Sequence, residues 1–265
     1  MPSSTQEHYH AFKRWLGPCL GELACPTQVV GARHIPATGP ALLVCNHRSW
    51  MDPYLISSRT RRMIHWVMAP FVASIPFLGK LMQEAGGLPI LRNSDRRVDA
   101  LIGDVVAELR RGSLVGIFPE GTDPFLTPRA PDKTSPFHRT FARAALAADI
   151  PGLKIVPACI YPIREAQLAP LPAAWLRALA PDEPIFQLES LELRVYQEAL
   201  VLIGEPLTPD AGYQTLDVRG SIATSFRHEQ RIRALVKQVK SRVDALLREA
   251  AEWSQLRAPR APLRG

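Results

Sequence analysis

Ala41–Pro53 reads ALLVCNHRSWMDP. The first five residues form an unbroken apolar run behind the turn Gly39-Pro40, which suits a strand buried on both faces. Asn46 to Met51 is polar enough for a loop. Asp52-Pro53 then has the form of an N-cap followed by proline at the first helical position, opening a helix over Pro53–Arg61. A buried strand that passes through a short loop into a helix is the building unit of a parallel α/β sheet.

The pattern repeats outward from this stretch. Ile64–Met68 and Leu88–Leu91 read as strands. Val98, Leu101, Ile102, Val105 and Leu109 keep helical spacing, with Gly112 as the stop. Ser113–Phe118 is a strand closed by Pro119, and His138–Ala148 is a helix ended before Pro151-Gly152. Ile155–Tyr161 is a further strand, and Leu191–Ile203 supplies one or two more. Ser221–Leu256 is a long helix with Ile232, Leu235, Val236, Val239, Val243, Leu246 and Leu247 on one stripe. At the other end, Ser4 and Glu7 have capping-box spacing, so a short amphipathic helix is expected from about Thr5 to Gly17. The fold class is therefore α/β: a single domain with a largely parallel central sheet flanked by helices, with a short N-terminal helix and a long basic C-terminal one.

Composition narrows the function. The 265 residues are 46% apolar and 22% charged, enough to bury a core and too apolar for a disordered chain. The 25 prolines have no period and punctuate loops. Residues 1–218 hold 21 Lys/Arg against 21 Asp/Glu, whereas residues 219–265 hold 11 against 4 and carry the whole net charge of +7. A basic body that wraps nucleic acid is not expected. Cys19, Cys25, Cys45 and Cys159 lack zinc spacing and read as reduced thiols of a cytoplasmic protein. Trp66–Gly79 is the longest charge-free window of the first half, and it is short and broken by Pro70 and Pro76, so no transmembrane helix is expected.

In a parallel sheet, sites form at the carboxyl ends of strands. Three such ends carry polar groups: Asn46–Asp52, Gly87–Asn93 and Pro119–Thr122. His47 and Asp52 would lie on different faces of a continuous helix, but a loop can fold them together. An aspartate on one imidazole nitrogen leaves the other free as a base near neutral pH. Asp52 also has a plain competing explanation as a helix cap. Glu120 sits on a tight turn in Phe118-Pro119-Glu120-Gly121-Thr122. Arg92 follows Gly86–Leu91 and is suited to bidentate phosphate binding, although a lone arginine is more often a solvated surface group.

Four blocks taken in order resemble the glycerolipid acyltransferases, the family that includes 1-acylglycerol-3-phosphate acyltransferase. They are His47 with Asp52, Gly87–Arg92, FPEGT at Phe118–Thr122 and VPACIYP at Val156–Pro162. The approach segment VVGARHIPATGPALLVCNHRSWMDP and Ile203–Leu207 are similar to that family as well, and the likeness runs over about residues 25–210. The resemblance implies that His47 is the general base and Asp52 orients it. Arg92, Gly121 and Thr122 hold the acceptor's phosphate, and Glu120 organises the turn by bonding the acceptor or Arg92. It implies direct transfer from acyl-CoA or acyl carrier protein to a glycerolipid hydroxyl, that of 1-acylglycerol-3-phosphate, giving phosphatidic acid. No covalent acyl-enzyme, metal or cofactor is implied; the acyl donor is a co-substrate.

Leu91, Asp123-Pro124 and His138-Arg139-Thr140 depart from the family pattern and remove cations near the pocket. Glycerol-3-phosphate, another lysophospholipid or an amino-acid lipid is accordingly a second reading of the acceptor. A third is an inactive membrane- or RNA-tethering protein. The expected organisation is an N-terminal amphipathic helix at 1–25, an acyltransferase α/β domain at 26–218, and a basic helix and tail at 219–265. The expected partners are a lysophospholipid, an acyl donor that includes acyl carrier protein, and a membrane surface, with no nucleic acid. The protein is expected in the cytoplasm, peripheral on the inner face of a membrane. Trp15 and Leu16, Phe71–Leu78, Ala166–Leu176 and the cations of the C-terminal helix are candidate membrane contacts. That helix has a competing reading in which its stripe packs on the core and its cations form a solvated face.

Overall fold

The computed structural model describes residues 25–75, 78–84, 86–90, 97–168, 171–172, 177, 187, 190–191, 193–209 and 222–257. The expected helix at Thr5–Gly17, the candidate contacts Trp15 and Leu16, and Arg92 lie outside these residues. Among the described residues the chain runs through β1 (Thr27–Val30), β2 (Ala41–Cys45), α1 (Asp52–Arg59), β3 (Ile64–Met68), α2 (Pro70–Ser74), α3 (Leu78–Glu84) and β4 (Leu88–Pro89). It continues through α4 (Arg97–Arg110), β5 (Leu114–Ile117), α5 (Asp123–Leu126), α6 (Thr140–Ala148), β6 (Lys154–Gln167), the short pair β7 (Leu171–Pro172) and β8 (Ser190–Leu191), β9 (Arg194–Ile203) and α7 (Ile222–Arg257).

Seven strands form one sheet in the order β1-β9-β6-β2-β5-β3-β4. Five of them, β6, β2, β5, β3 and β4, are mutually parallel. The ladder between β6 and β9 is antiparallel, and β1 is parallel to β9, so those two strands run the other way. The sheet is thus largely parallel, as the strand–helix alternation predicts. The expected strand Ile155–Tyr161 extends to Gln167. Pro162 does not end it, because the β6–β9 register shifts there and again at Arg164, and a bulge tolerates a residue with no N–H to donate.

Apolar residues alternate between two covered faces, which explains the unbroken hydrophobic runs. Leu42, Val44, Val115, Ile117, Ile155 and Cys159 face α4, α6 and α7. Leu43, Cys45, Leu114, Ile64, Val156 and Ala158 face α1. The stripe of α7 belongs to the first face: Ile232, Leu235, Val239, Val243 and Leu247 are buried there. This apolar face is consequently not offered to a bilayer. The cations Arg227, Arg231, Arg233, Lys237, Arg242 and Arg248 are exposed. Lys240 alone of the set turns inward, donating to Thr134 Oγ1 and pairing with Asp244. Cys25, Cys45 and Cys159 are free and buried. Among the described residues no helix is long and apolar enough to cross a membrane.

Candidate active site

The chain leaving β2 passes through α1 to β3, beyond β5, while the chain leaving β5 passes through α6 to β6, on the far side of β2. Since α1 and α6 cover opposite faces, the two connections diverge and leave a crevice at the carboxyl ends of β2 and β5. His47 lies just past the first strand end and Glu120 just past the second.

His47 Nδ1 is 2.7 Å from Asp52 Oδ2. A carboxylate can only accept, so Nδ1 carries the proton and Nε2 is left as the basic atom of the ring. Asp52 is fully buried, whereas the His47 side chain keeps 19% of its exposure. The same Oδ2 accepts the backbone N–H groups of Arg48 at 2.7 Å and Ser49 at 3.0 Å, and Oδ1 accepts the hydroxyl of Tyr196 at 2.7 Å. The sequence reading of Asp52 as an N-cap is therefore corrected. The cap position belongs to Met51, Asp52 is the first residue of α1, and its carboxylate turns back into the loop. This is the arrangement that folds His and Asp together across five residues. Burial, with Asp52 beside it, pushes the Tyr196 phenol well above its ordinary range and keeps it a neutral donor.

The imidazole is also held by its faces. It stacks on Phe118, with ring centroids 4.2 Å apart, and meets the edge of Phe125 at 4.8 Å. Phe118 stacks in turn on Trp66 at 4.6 Å. Room for that indole comes from β5: a Cβ on Gly116 would sit 2.4 Å from Trp66 Cε3.

Glu120 is 2% exposed and ties three segments together. Its Oε1 accepts the N–H of His47 at 2.9 Å, and its Oε2 accepts the N–H of Ser135. Burial pushes its carboxyl up, and the two N–H donors work against that. Each carboxylate oxygen thus accepts a backbone N–H from a different segment of the scaffold. Gly121 takes φ 58°, a left-handed turn that glycine adopts without strain, and it packs against the ring of His138, whose Cδ2 would lie 3.4 Å from a Cβ at this position. Thr122 is half-buried and precedes α5.

Two further ties fix the loop. Asn46 donates from Nδ2 to the Ile160 carbonyl at 3.1 Å and accepts the Ile160 N–H at 2.8 Å, which joins the end of β2 to β6. Arg48 forks onto Glu165 at 2.8 and 2.5 Å and donates to the Arg129 carbonyl at 2.7 Å. Burial works against the charge on Glu165, but Arg48 holds its carboxyl below the usual range. Tyr196, Ser135, Glu165 and the aromatic stack all escape the sequence reading. They reach the site through tertiary contact, with Tyr196 144 residues from Asp52, and no local spacing announces them.

A family model described as Acyltransferase matches residues 26–161. The chain belongs to the acyltransferase family. Its matched region contains His47, Asp52 and Glu120 with the strands that place them. The chain is 31% identical over 123 residues to a 1-acyl-sn-glycerol-3-phosphate acyltransferase of Escherichia coli, a match covering 46% of this chain and 47% of that protein. It is 35% identical over 79 residues to one of Neisseria gonorrhoeae, covering 30% of each. The chain thus spans less than half the length of the curated relatives it matches. A crystal structure of the 1-acyl-sn-glycerophosphate (LPA) acyltransferase from Thermotoga maritima aligns with a TM-score of 0.48 at 18% identity, covering 89% of this chain and 78% of that one.

The crevice holds an imidazole with a fixed tautomer and a defined ring plane. Its orienting carboxylate cannot drift, because backbone and phenol donors occupy both oxygens. Such a group can take a proton from an alcohol and return it to a leaving thiolate.

Proposed function

We propose that this chain is an O-acyltransferase that moves a fatty acyl group from acyl-CoA or acyl carrier protein to the free hydroxyl of 1-acylglycerol-3-phosphate, giving phosphatidic acid. His47 Nε2 takes the hydroxyl proton as the oxygen attacks the thioester carbonyl. The C–S bond then breaks, the ester remains, and the imidazolium returns the proton to the departing thiolate. Asp52 balances the imidazolium charge. Arg92, Gly121 and Thr122 hold the acceptor's phosphate, and the protein works at the inner face of a membrane. The observation that carries the reading is the 2.7 Å His47–Asp52 contact at the β2 end of the crevice. Family membership and the printed activity of the relatives support the choice of acceptor.

The test is mass spectrometry of products from the purified chain offered mixed lyso-lipids, glycerol-3-phosphate and an amino-acid lipid with each donor. Phosphatidic acid is expected to dominate. His47→Ala should lower turnover by about 10²–10⁴, the worth of a positioned base. Asp52→Asn should lose activity out of proportion to stability, because its NH2 must replace one carboxylate oxygen and so face either the His47, Arg48 and Ser49 donors or the Tyr196 hydroxyl, and the amide carries no charge to balance the imidazolium. Unchanged turnover in His47→Ala would end the mechanism, and a dominant product from an acceptor without phosphate would end the proposed phosphate roles.

A further inference from the structure

The β6–β9 ladder runs on past Pro162, and its far end lies against the loop Asn46–Asp52. Ala199, Val201 and Ile203 of β9 belong to the core on the α1 face, and so does Tyr196. A regular strand alternates its side chains between faces, so Tyr196, an odd three residues from Ala199, should lie on the other side of the sheet. The two register shifts between Pro162 and Glu165 supply the extra step. Beyond them Glu165 stands directly opposite Tyr196. Opposed residues project from the same face of a strand pair, and these two reach the same loop. Tyr196 bonds Asp52, and Glu165 takes the guanidinium fork of Arg48.

The grip on Arg48 bears on the base beside it. The Arg48 N–H and His47 Nδ1 share one acceptor, Asp52 Oδ2, so a shift of the Arg48 backbone is felt at the imidazole contact. The Arg48 side chain is 10% exposed, and a fork onto a carboxylate fixes its plane as well as its distance. Its remaining bond, to the Arg129 carbonyl, opens a circuit. Arg129 Nε donates to Ser135 Oγ at 3.2 Å, the Ser135 N–H goes to Glu120, and Glu120 accepts the His47 N–H. Glu165 anchors that circuit to β6. Arg194 backs it, with Nη1 3.5 Å from Glu165 Oε1 and its carbonyl accepting the Ser49 hydroxyl at 2.7 Å. Arg164 and Glu198, paired within the shifted stretch, bond each other at the surface instead.

We propose that Glu165 is a positioning residue for acyl transfer: the irregular end of the β6–β9 ladder aims its carboxylate at Arg48, and through Arg48 it holds the loop that sets the His47 ring against Asp52. The inference rests on the reading of His47 as the base. Glu165 acts through its neighbour and takes no proton from the substrate.

The test is made on the full chain with Glu165→Gln. Turnover should fall by about tenfold or more, with KM for acyl donor and acceptor unchanged, because a misplaced reacting group costs rate and leaves binding intact. Arg48→Lys keeps the charge pair, and with it the fold, but has no fork, and it should lose turnover in the same way. Arg48→Gln added to Glu165→Gln should lose little more than either change alone, since both cut one link. Arg164→Gln, on the same strand, should leave turnover unchanged. A readout without substrate is the low-field proton resonance of His47 Nδ1, followed by NMR with labelled histidine. It should be broadened by exchange in Glu165→Gln and Arg48→Lys and kept in Arg164→Gln. A Glu165→Gln chain that melts earlier but keeps its turnover and its resonance would make the pair structural only and overturn the assignment. A raised KM with unchanged turnover would overturn it in favour of a binding role for Arg48, and additive losses in the double variant would overturn the route through Arg48. If the resonance responds as expected but the unsubstituted chain acylates no acceptor, the proposed function fails and the grip on His47 stands.

Discussion

At the scale of single residues, the site is a problem of holding one imidazole still. Asp52 does so only because its own oxygens are held, and the side chain that holds Oδ1 is Tyr196, itself 2% exposed. Tyr196→Phe deletes one oxygen and leaves a buried carboxylate oxygen without its donor. Stability should fall by about 1–3 kcal/mol, the cost of an unsatisfied buried acceptor. Turnover should fall by about tenfold with KM nearly unchanged, because roughly 1.4 kcal/mol of orientation is lost at the reacting group and none at the binding surface. Urea unfolding and steady-state kinetics on the same sample decide it; a less stable variant with full turnover would place Tyr196 in the core alone. The two catalytic candidates were legible in the sequence because they share one loop. Tyr196 was not, because its contact is made by folding β9 beside β6 and has no trace in local spacing. The N-cap reading of Asp52 failed for a related reason. A side-chain acceptor before proline looks the same in sequence whether it turns forward to the helix or back to the loop.

At the scale of elements, strand ends set the height of each site residue and strand interiors set what lies beneath. Gly116 of β5 shows the second effect. An added methyl would meet the Trp66 ring at 2.4–2.6 Å and the Ile64 side chain at 2.7 Å. Gly116→Ala should therefore cost about 1–3 kcal/mol by overpacking. It should also lower turnover, since Trp66 supports Phe118 and Phe118 supports the His47 ring. Gly103 is the control: it is exposed in the middle of α4, and a Cβ there meets nothing within 4 Å. Gly103→Ala should stabilise by roughly 0.5–1 kcal/mol through helix propensity, with turnover unaffected. Thermal denaturation of the pair, with activity at saturating substrate, separates packing under the site from backbone effects far from it. Most elements were legible because their apolar runs are bounded by Gly and Pro. The extension of β6 through Pro162 was not, since the bulge that excuses the proline belongs to the pairing with β9.

At the scale of the whole molecule, α7 closes one face of the sheet and also reaches the site. Lys240 and Asp244 both bond Thr134 Oγ1, and the next residue, Ser135, gives its N–H to Glu120. The core on that face and the crevice should accordingly open as one unit. Two thiols report on this, because Cys45 lies in the core against α1 and Cys159 in the core against α7. Burial pushes both thiols up, Cys159 to about 12. In the native protein Cys159 stays protonated and inert through pH 10, whereas an unfolded thiol ionises near its ordinary value of 9.0. The sign follows from proton binding. The native state holds the proton more tightly, so the stability these groups lend is complete below the ordinary thiol range and declines as pH rises from there towards 12. Alkylation at pH 8, read by peptide mass mapping, should modify Cys45 and Cys159 at one shared, slow rate. Raising the pH to 10 should speed both together. Leu247→Ala, which empties a fully buried position of α7, should cost about 2–5 kcal/mol and accelerate both by the same factor. If Cys159 is released while Cys45 stays protected, α7 detaches from a sheet that remains folded, and the coupling from Asp244 to Glu120 does not bind the two into one cooperative unit.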